Sequence, residues 1–189
     1  MIDDLERKIA DTASLNSKLI LLIGPPRSGK TALLSQLSER INVQVLNVGL
    51  ALGRDLLALP RTRRHLQVSE LFKSVADTAV SHGLLLVDNI ELLFDRTLRV
   101  AALDLLRSQA RVRPVVAVWP GELRENRLSY AVSGHPEHQD HSPDGAILFT
   151  PTVLDRFPTL AEAMVGAIEH AEELAPDSAP QLLAILDRE

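Results

Sequence analysis

Cysteine is absent from the 189 residues, which excludes disulfides, thiolate metal sites, iron–sulfur clusters and a cysteine nucleophile. Aromatics are scarce: four Phe, one Trp and one Tyr. The core must therefore be aliphatic, and a platform for stacking single-stranded bases is not expected. No run approaches the roughly 18–20 apolar residues that a membrane span needs. The acidic start Met1–Asp4 is followed by no apolar leader region, so no signal peptide is expected. The expectation is a soluble, cytoplasmic protein without a membrane partner. Lysine is rare as well, supplying 4 of the 20 basic residues; the rest are Arg, suited to bidentate carboxylate or phosphate contacts.

What is present suffices for one α/β domain. Hydrophobic residues make up 46% and charged residues 24%, so a core can form and global disorder is not expected. The net charge of −5 is uneven. Up to Thr150 there are 18 Lys/Arg against 17 Asp/Glu, and from Pro151 onward 2 against 8. A near-neutral body argues against binding to nucleic acid by bulk charge alone.

The pattern alternates strand and helix. Ile2–Ser14 reads as a leading helix with Leu5, Ile9 and Ala13 on one face. Lys18–Ile23 is a continuous apolar run, as in a parallel strand covered on both faces. A turn at Gly24–Gly29 leads into a helix over Lys30–Arg40, and Val43–Val48 returns as a strand. After a stretch punctuated by Gly and Pro, Val68–His82 predicts an amphipathic helix closed by Gly83 at C′. Leu84–Val87 follows as a strand, then a helix carrying Leu98, Ala101, Ala102, Leu105 and Leu106, then strand Pro114–Trp119. A long polar loop from Pro120 to Gly145 precedes a last strand at Ala146–Phe149. This predicts a doubly wound, mostly parallel sheet in a three-layer αβα fold over residues 1–150. Residues 151–189 read as an acidic helical C-terminal extension, with a capping box from Thr159 to Glu162 and a final short helix at Gln181–Asp187.

Gly24-Pro25-Pro26-Arg27-Ser28-Gly29-Lys30-Thr31 matches G-x-x-x-x-G-K-[ST] between an apolar strand and a helix. Phosphate oxygens need several backbone N–H groups converging on one concavity. The turn and the first turn of the helix, through Ala32, are placed to supply them. Lys30 would reach the β- and γ-phosphates, and the Thr31 hydroxyl would bind Mg²⁺. Asp88, ending the run Leu84–Val87, suits a Walker B role on the same metal. Many ATPases of this design carry Glu next; here the residue is Asn89, which can orient water but not take its proton. Glu91 is the candidate substitute if the backbone turns helical, or else a carboxylate facing a helix dipole. Slow or absent intrinsic hydrolysis is expected. Trp119 stands where related ATPases often place a polar γ-phosphate sensor.

Weaker signals remain. Arg54, Arg61, Arg63 and Arg64, with His65, form the densest basic patch, read as a DNA or partner surface or as a solvated face. Arg124 and Arg127 are candidates for an arginine finger offered to an adjacent subunit. His135, His138 and His141 have a spacing that could gather zinc, but Pro136 and Pro143 interrupt any helix, and a polar surface loop is the simpler reading.

GPPRSGKTALL, NVGLALGRDLLALPRTRR, LLLVDNIELLFD, VAVWPGEL and LSYAVSGHPE together resemble, in that order, the small P-loop proteins of type 3 BREX phage-exclusion systems, the BrxF family. The resemblance runs from about Leu15 to Phe149 and omits the acidic tail. More distantly the chain is similar to AAA+ modules of the DnaA-like kind. The resemblance implies a bacterial defence role beside other BREX proteins, with ATP and Mg²⁺ bound through Gly24–Thr31 and Asp88. Homo-oligomers and DNA are further partners it brings into view. Arg27 stands where AAA+ loops carry a small residue, and no lid with a sensor arginine is visible, which argues against a standard motor. Three functions follow as expectations: an ATP-binding protein with weak or partner-dependent ATPase activity, a non-hydrolysing adaptor with a vestigial P-loop, and a small P-loop kinase.

Overall fold

A computed structural model describes residues 1–12, 18–132 and 134–151. The chain divides into two units, Met1–Pro151 and Thr152–Glu189. The expected extension, with its Thr159–Glu162 capping box, lies outside the described residues, as does the end of the leading helix beyond Thr12.

Five strands form one wholly parallel sheet: β1 (Leu19–Leu22), β2 (Val45–Asn47), β3 (Leu85–Asp88), β4 (Val115–Val118) and β8 (Ala146–Phe149). Their order across the sheet is β2-β3-β4-β1-β8. β1, β3 and β4 are buried along their whole length, which is why they read as unbroken apolar runs rather than alternating ones. Alternate residues of these strands feed two cores. Ile20, Leu22, Leu86 and Val116 face α1 (Ile2–Asp11) and α2 (Lys30–Ile41), through Leu5, Leu33, Leu34 and Leu37. Leu19, Leu21, Leu85 and Val87 face α3 (Val48–Leu57), α4 (Arg61–Ala79) and α5 (Ala102–Ala110). Helices on both sides of a parallel sheet make three layers, as the alternating pattern predicts.

Several boundaries differ from the sequence reading, each for a local reason. Strand β2 stops at Asn47 instead of running through Val48. The Asn47 side chain accepts the Leu50 N–H at 2.9 Å, and this cap starts α3 at Val48 despite the β preference of valine. Helix α4 begins at Arg61, seven residues ahead of its apolar stripe. Its first turns are exposed and therefore carry no hydrophobic period. It ends at Ala79, and Gly83 (φ 75°) is not its cap; Gly83 belongs to the turn in which Ser81 and Leu84 exchange hydrogen bonds before β3. Leu98 lies in a short 3₁₀ segment, Arg96–Leu98, and not in α5.

The largest correction concerns Pro120–Gly145. The expected loop contains a second, antiparallel sheet of β5 (Glu122–Arg124), β6 (Arg127–Tyr130) and β7 (Gln139–His141), in the order β5-β6-β7. Its strands are short and mostly polar, so they carry neither of the hydrophobic periods that reveal a strand. The insert is inserted between β4 and β8 at the carboxyl edge of the main sheet, where open α/β sheets place their ligands.

Candidate functional site

The site is built at the carboxyl end of β1. Gly24 (φ 144°) turns the chain out of the sheet; a Cβ here would lie 2.7 Å from the Ser28 Oγ. The turn closes with the Ser28 N–H donating to the Pro25 carbonyl at 3.2 Å, and Gly29 (φ 88°) opens α2. Pro25 and Pro26 have no N–H to offer, so anion donors must come from the second half of the loop. The first four N–H groups of a helix lack intrahelical partners, and no side chain caps α2. The hydroxyl of Ser28 is buried within the loop without a hydrogen-bond partner.

Lys30 is only 8% exposed. Its Nζ donates to the carbonyls of Gly24 at 2.5 Å and Pro25 at 3.0 Å, bracing the loop from inside. An ammonium has three donors, so one remains for a phosphate oxygen. Burial pushes its pKa below the ordinary lysine value, and the charges of Asp88 and Glu122 partly oppose that shift. Both carboxylates thus act on the same amine.

Asp88 ends β3, is buried, and accepts the Asn89 N–H through Oδ1 at 2.8 Å. Asn47 is its register partner on β2. Asn89 adopts a left-handed conformation (φ 54°), which Asn tolerates better than most residues, and its carbonyl accepts the Gly49 N–H at 2.9 Å. The backbone then turns into a 3₁₀ segment, Ile90–Phe94, with Glu91 exposed in its first turn. The Glu91 charge acts on Tyr130, whose pKa is raised chiefly by burial and further by Glu137 and Glu91.

Thr31 is exposed beside Lys30. Among the described residues no group of three His, Cys, Asp or Glu is arranged for a metal ion. Mg²⁺ asks for less, typically one or two carboxylates with waters and substrate phosphates. Hydroxyl and carboxylate oxygens of Thr31 and Asp88 have the right hardness for that ion. The uncapped helix start, the orphaned Ser28 hydroxyl and the spare Lys30 donor form a donor set suited to an anion.

The antiparallel sheet forms the other wall. Trp119 is fully buried and its indole N–H donates to the Ser129 carbonyl at 3.0 Å, so that N–H is engaged in docking the insert rather than free to sense a phosphate. Gly121 makes this approach feasible: a Cβ there would fall 1.6 Å from the Ser129 oxygen. Tyr130 stacks on Phe94 (3.8 Å, 22°), while Trp119 meets Phe94 and His141 edge-on at 5.4 and 6.0 Å. These rings pin the insert to the segment that follows Asp88.

A cavity of about 460 Å³ opens between Pro26 of the loop and the insert, lined by Glu122, Arg124 and Arg127 among others. Arg124 holds Glu122 with contacts of 2.9 and 2.7 Å, and Arg127 holds Asp140. An arginine offered to a neighbouring subunit would first have to leave these partners. The three histidines have separate local contacts: His135 Nδ1 with the Glu137 N–H, His138 with the Ala131 carbonyl, and His141 with Gln139.

The basic patch lies on α3 and the start of α4. Arg54 pairs with Asp55 at 3.6 Å, and Arg64 Nε donates to the Leu59 carbonyl at 3.2 Å. Arg61 and Arg63 stand exposed in the first turn of α4, where the helix dipole disfavours cations. Leu50, Leu57 and Leu66 are exposed on the same two helices.

Compared with known proteins, the chain matches no family model, no curated protein and no solved structure. The sequence reading passed over Glu122, Gly121 and Tyr130. The only signal available for them was W-P-G-E, a Trp and a Gly flanking a strand end.

Proposed function

We propose that this chain is a nucleoside-triphosphate-binding protein of the P-loop, AAA+-like class, with Gly24–Ala32 as its phosphate loop. The observation that carries this reading is Lys30. Its amine is buried, braced on two carbonyls of its own loop, and feels the charge of the Asp88 carboxylate, which ends a strand two places away in the sheet. Mg²⁺, when bound, offsets phosphate charge and orients the terminal phosphate; Thr31 and Asp88 would hold it. The sequence motif and the three-layer fold support ATP as the ligand class. The resemblance to small BREX proteins supports a role in which the nucleotide state controls assembly with defence partners or DNA.

Removing the Lys30 charge tests the reading. Lys30→Ala lies on a helix whose buried leucines are untouched, so the fold should survive while ATP affinity falls by about a hundredfold or more. Calorimetric titration with MgATP, with circular dichroism as a fold check, reads both. Equal affinity in variant and wild type would refute the assignment.

One observation favours a second reading, a non-hydrolysing adaptor. The residue after Asp88 is an amide in a left-handed conformation, where it cannot accept a proton from water. Phosphate release without any added acceptor separates the two readings.

A further inference from the structure

We propose that Glu122, carried in cis by the inserted antiparallel sheet, is the carboxylate that accepts the proton of the attacking water. The inference rests on the reading of Gly24–Ala32 as a triphosphate site. It addresses the gap left there, because Asn89 has no basic oxygen of sufficient strength and Glu91 is exposed in the 3₁₀ segment that follows and does not line the cavity.

Three observations converge on Glu122. It lines the cavity that Pro26 of the loop closes from the other side. Arg124 makes two contacts to one oxygen of the carboxylate. The backbone beneath it is held on both sides: Glu122 is the register partner of Ser129, and the Ser129 hydroxyl donates to the Glu122 carbonyl at 3.2 Å. The Ser129 carbonyl in turn receives the Trp119 indole. The carboxylate therefore sits on a paired strand beginning four residues after the end of β4, and not on a free loop.

Of the other carboxylates nearby, Asp88 accepts a backbone N–H beside the metal position, Asp140 is bonded to Arg127, and Glu125, which also lines the cavity, stands exposed at the turn between β5 and β6. In the step itself, Glu122 takes a proton from water as the water oxygen bonds to the γ-phosphorus. The bond from that phosphorus to the β–γ bridging oxygen breaks, and its electron pair leaves with the diphosphate. Glu122 returns the proton to the departing phosphate. No further reactant is required.

The test uses the full chain and two variants, Glu122→Gln and Glu122→Asp. MgATP and MgADP affinities are measured by calorimetry, phosphate release is measured without an acceptor, and melting checks the fold. A base of this kind contributes on the order of 10²–10⁴ in rate, so Glu122→Gln should lose at least a hundredfold in phosphate release. Removing a negative charge near the terminal phosphate should tighten MgATP about threefold or more, with MgADP unchanged. A purely structural ion pair would shift neither ratio. Glu122→Asp keeps the charge and should retain part of the rate, and it decides the matter if the Gln variant does not fold. Wild-type rates in Glu122→Gln, or MgATP binding by the wild type without phosphate release, would overturn the role of Glu122 alone. Failure of the wild type to bind either nucleotide would overturn the triphosphate site and this inference with it.

Discussion

The two sheets of this protein are held together by different physics. The parallel sheet is a core element: β1, β3 and β4 are buried throughout, and two hydrophobic clusters, mostly aliphatic but including Phe72, Phe94, Trp119 and Phe149, cover its faces. The antiparallel insert has strands of three or four residues, ELR, RLSY and QDH, with Leu128 its one fully buried side chain. It keeps its place through specific contacts: the Trp119–Ser129 hydrogen bond, the Phe94–Tyr130 stack, and Arg107 reaching the carbonyls of Ser142 and Asp144 at 2.9 and 2.8 Å. The body provides a loop and a lysine, and the insert brings a second wall of charge to them. Burial sets the stability of the first region, and geometry sets that of the second.

Breaking the body should therefore unfold everything, while breaking the insert should leave the body standing. The largest effect is expected from Leu34→Ala, which opens a cavity in a fully buried position between α2 and the sheet. It should cost about 2–5 kcal/mol and lower one cooperative unfolding transition seen by all probes. Gly121→Ala comes next. Its Cβ cannot fit beside the Ser129 carbonyl, and the relaxation should cost about 1–3 kcal/mol. Fluorescence of Trp119, the only tryptophan, should move to longer wavelength as the insert detaches, while far-ultraviolet helical signal is kept. Loss of helix in parallel with the fluorescence would show that the two sheets form one cooperative unit.

The smallest effect separates the regions by pH. Burial holds the His141 pKa below its ordinary 6.5, with Asp104 and Asp140 opposing the shift and Arg107 and Arg127 adding to it. The unfolded imidazole then binds protons more readily than the folded one. Stability from the neutral ring is complete above pH 6.5 and is lost as the pH falls through the lowered folded value. Mild acid should loosen the packing of Trp119 before it affects the body; His141→Gln should remove that early change.

Legibility in the sequence follows the same division. Lys18–Ile23 and Leu84–Val87 announce buried strands because burial on both faces demands continuous apolar residues. The Gly24–Thr31 spacing marks its turn because Gly24 leaves no room for a Cβ beside Ser28 and Gly29 opens the helix at a positive φ. The insert was hidden because register, a close glycine and ring stacking leave no periodic trace. Asn47 as a cap, and the arginine-rich start of α4, were missed for a related reason: exposed turns carry no stripe. Glu122 was invisible because the cavity it shares with Pro26 forms only when the unrecognised sheet folds.

The most direct measurement is calorimetric titration of the intact chain with MgATP, run beside Lys30→Ala. The account predicts one saturable site per chain in the wild type and no detectable heat of binding in a variant that remains folded. Indistinguishable isotherms from the two proteins, or a flat trace from the folded wild type, would contradict it.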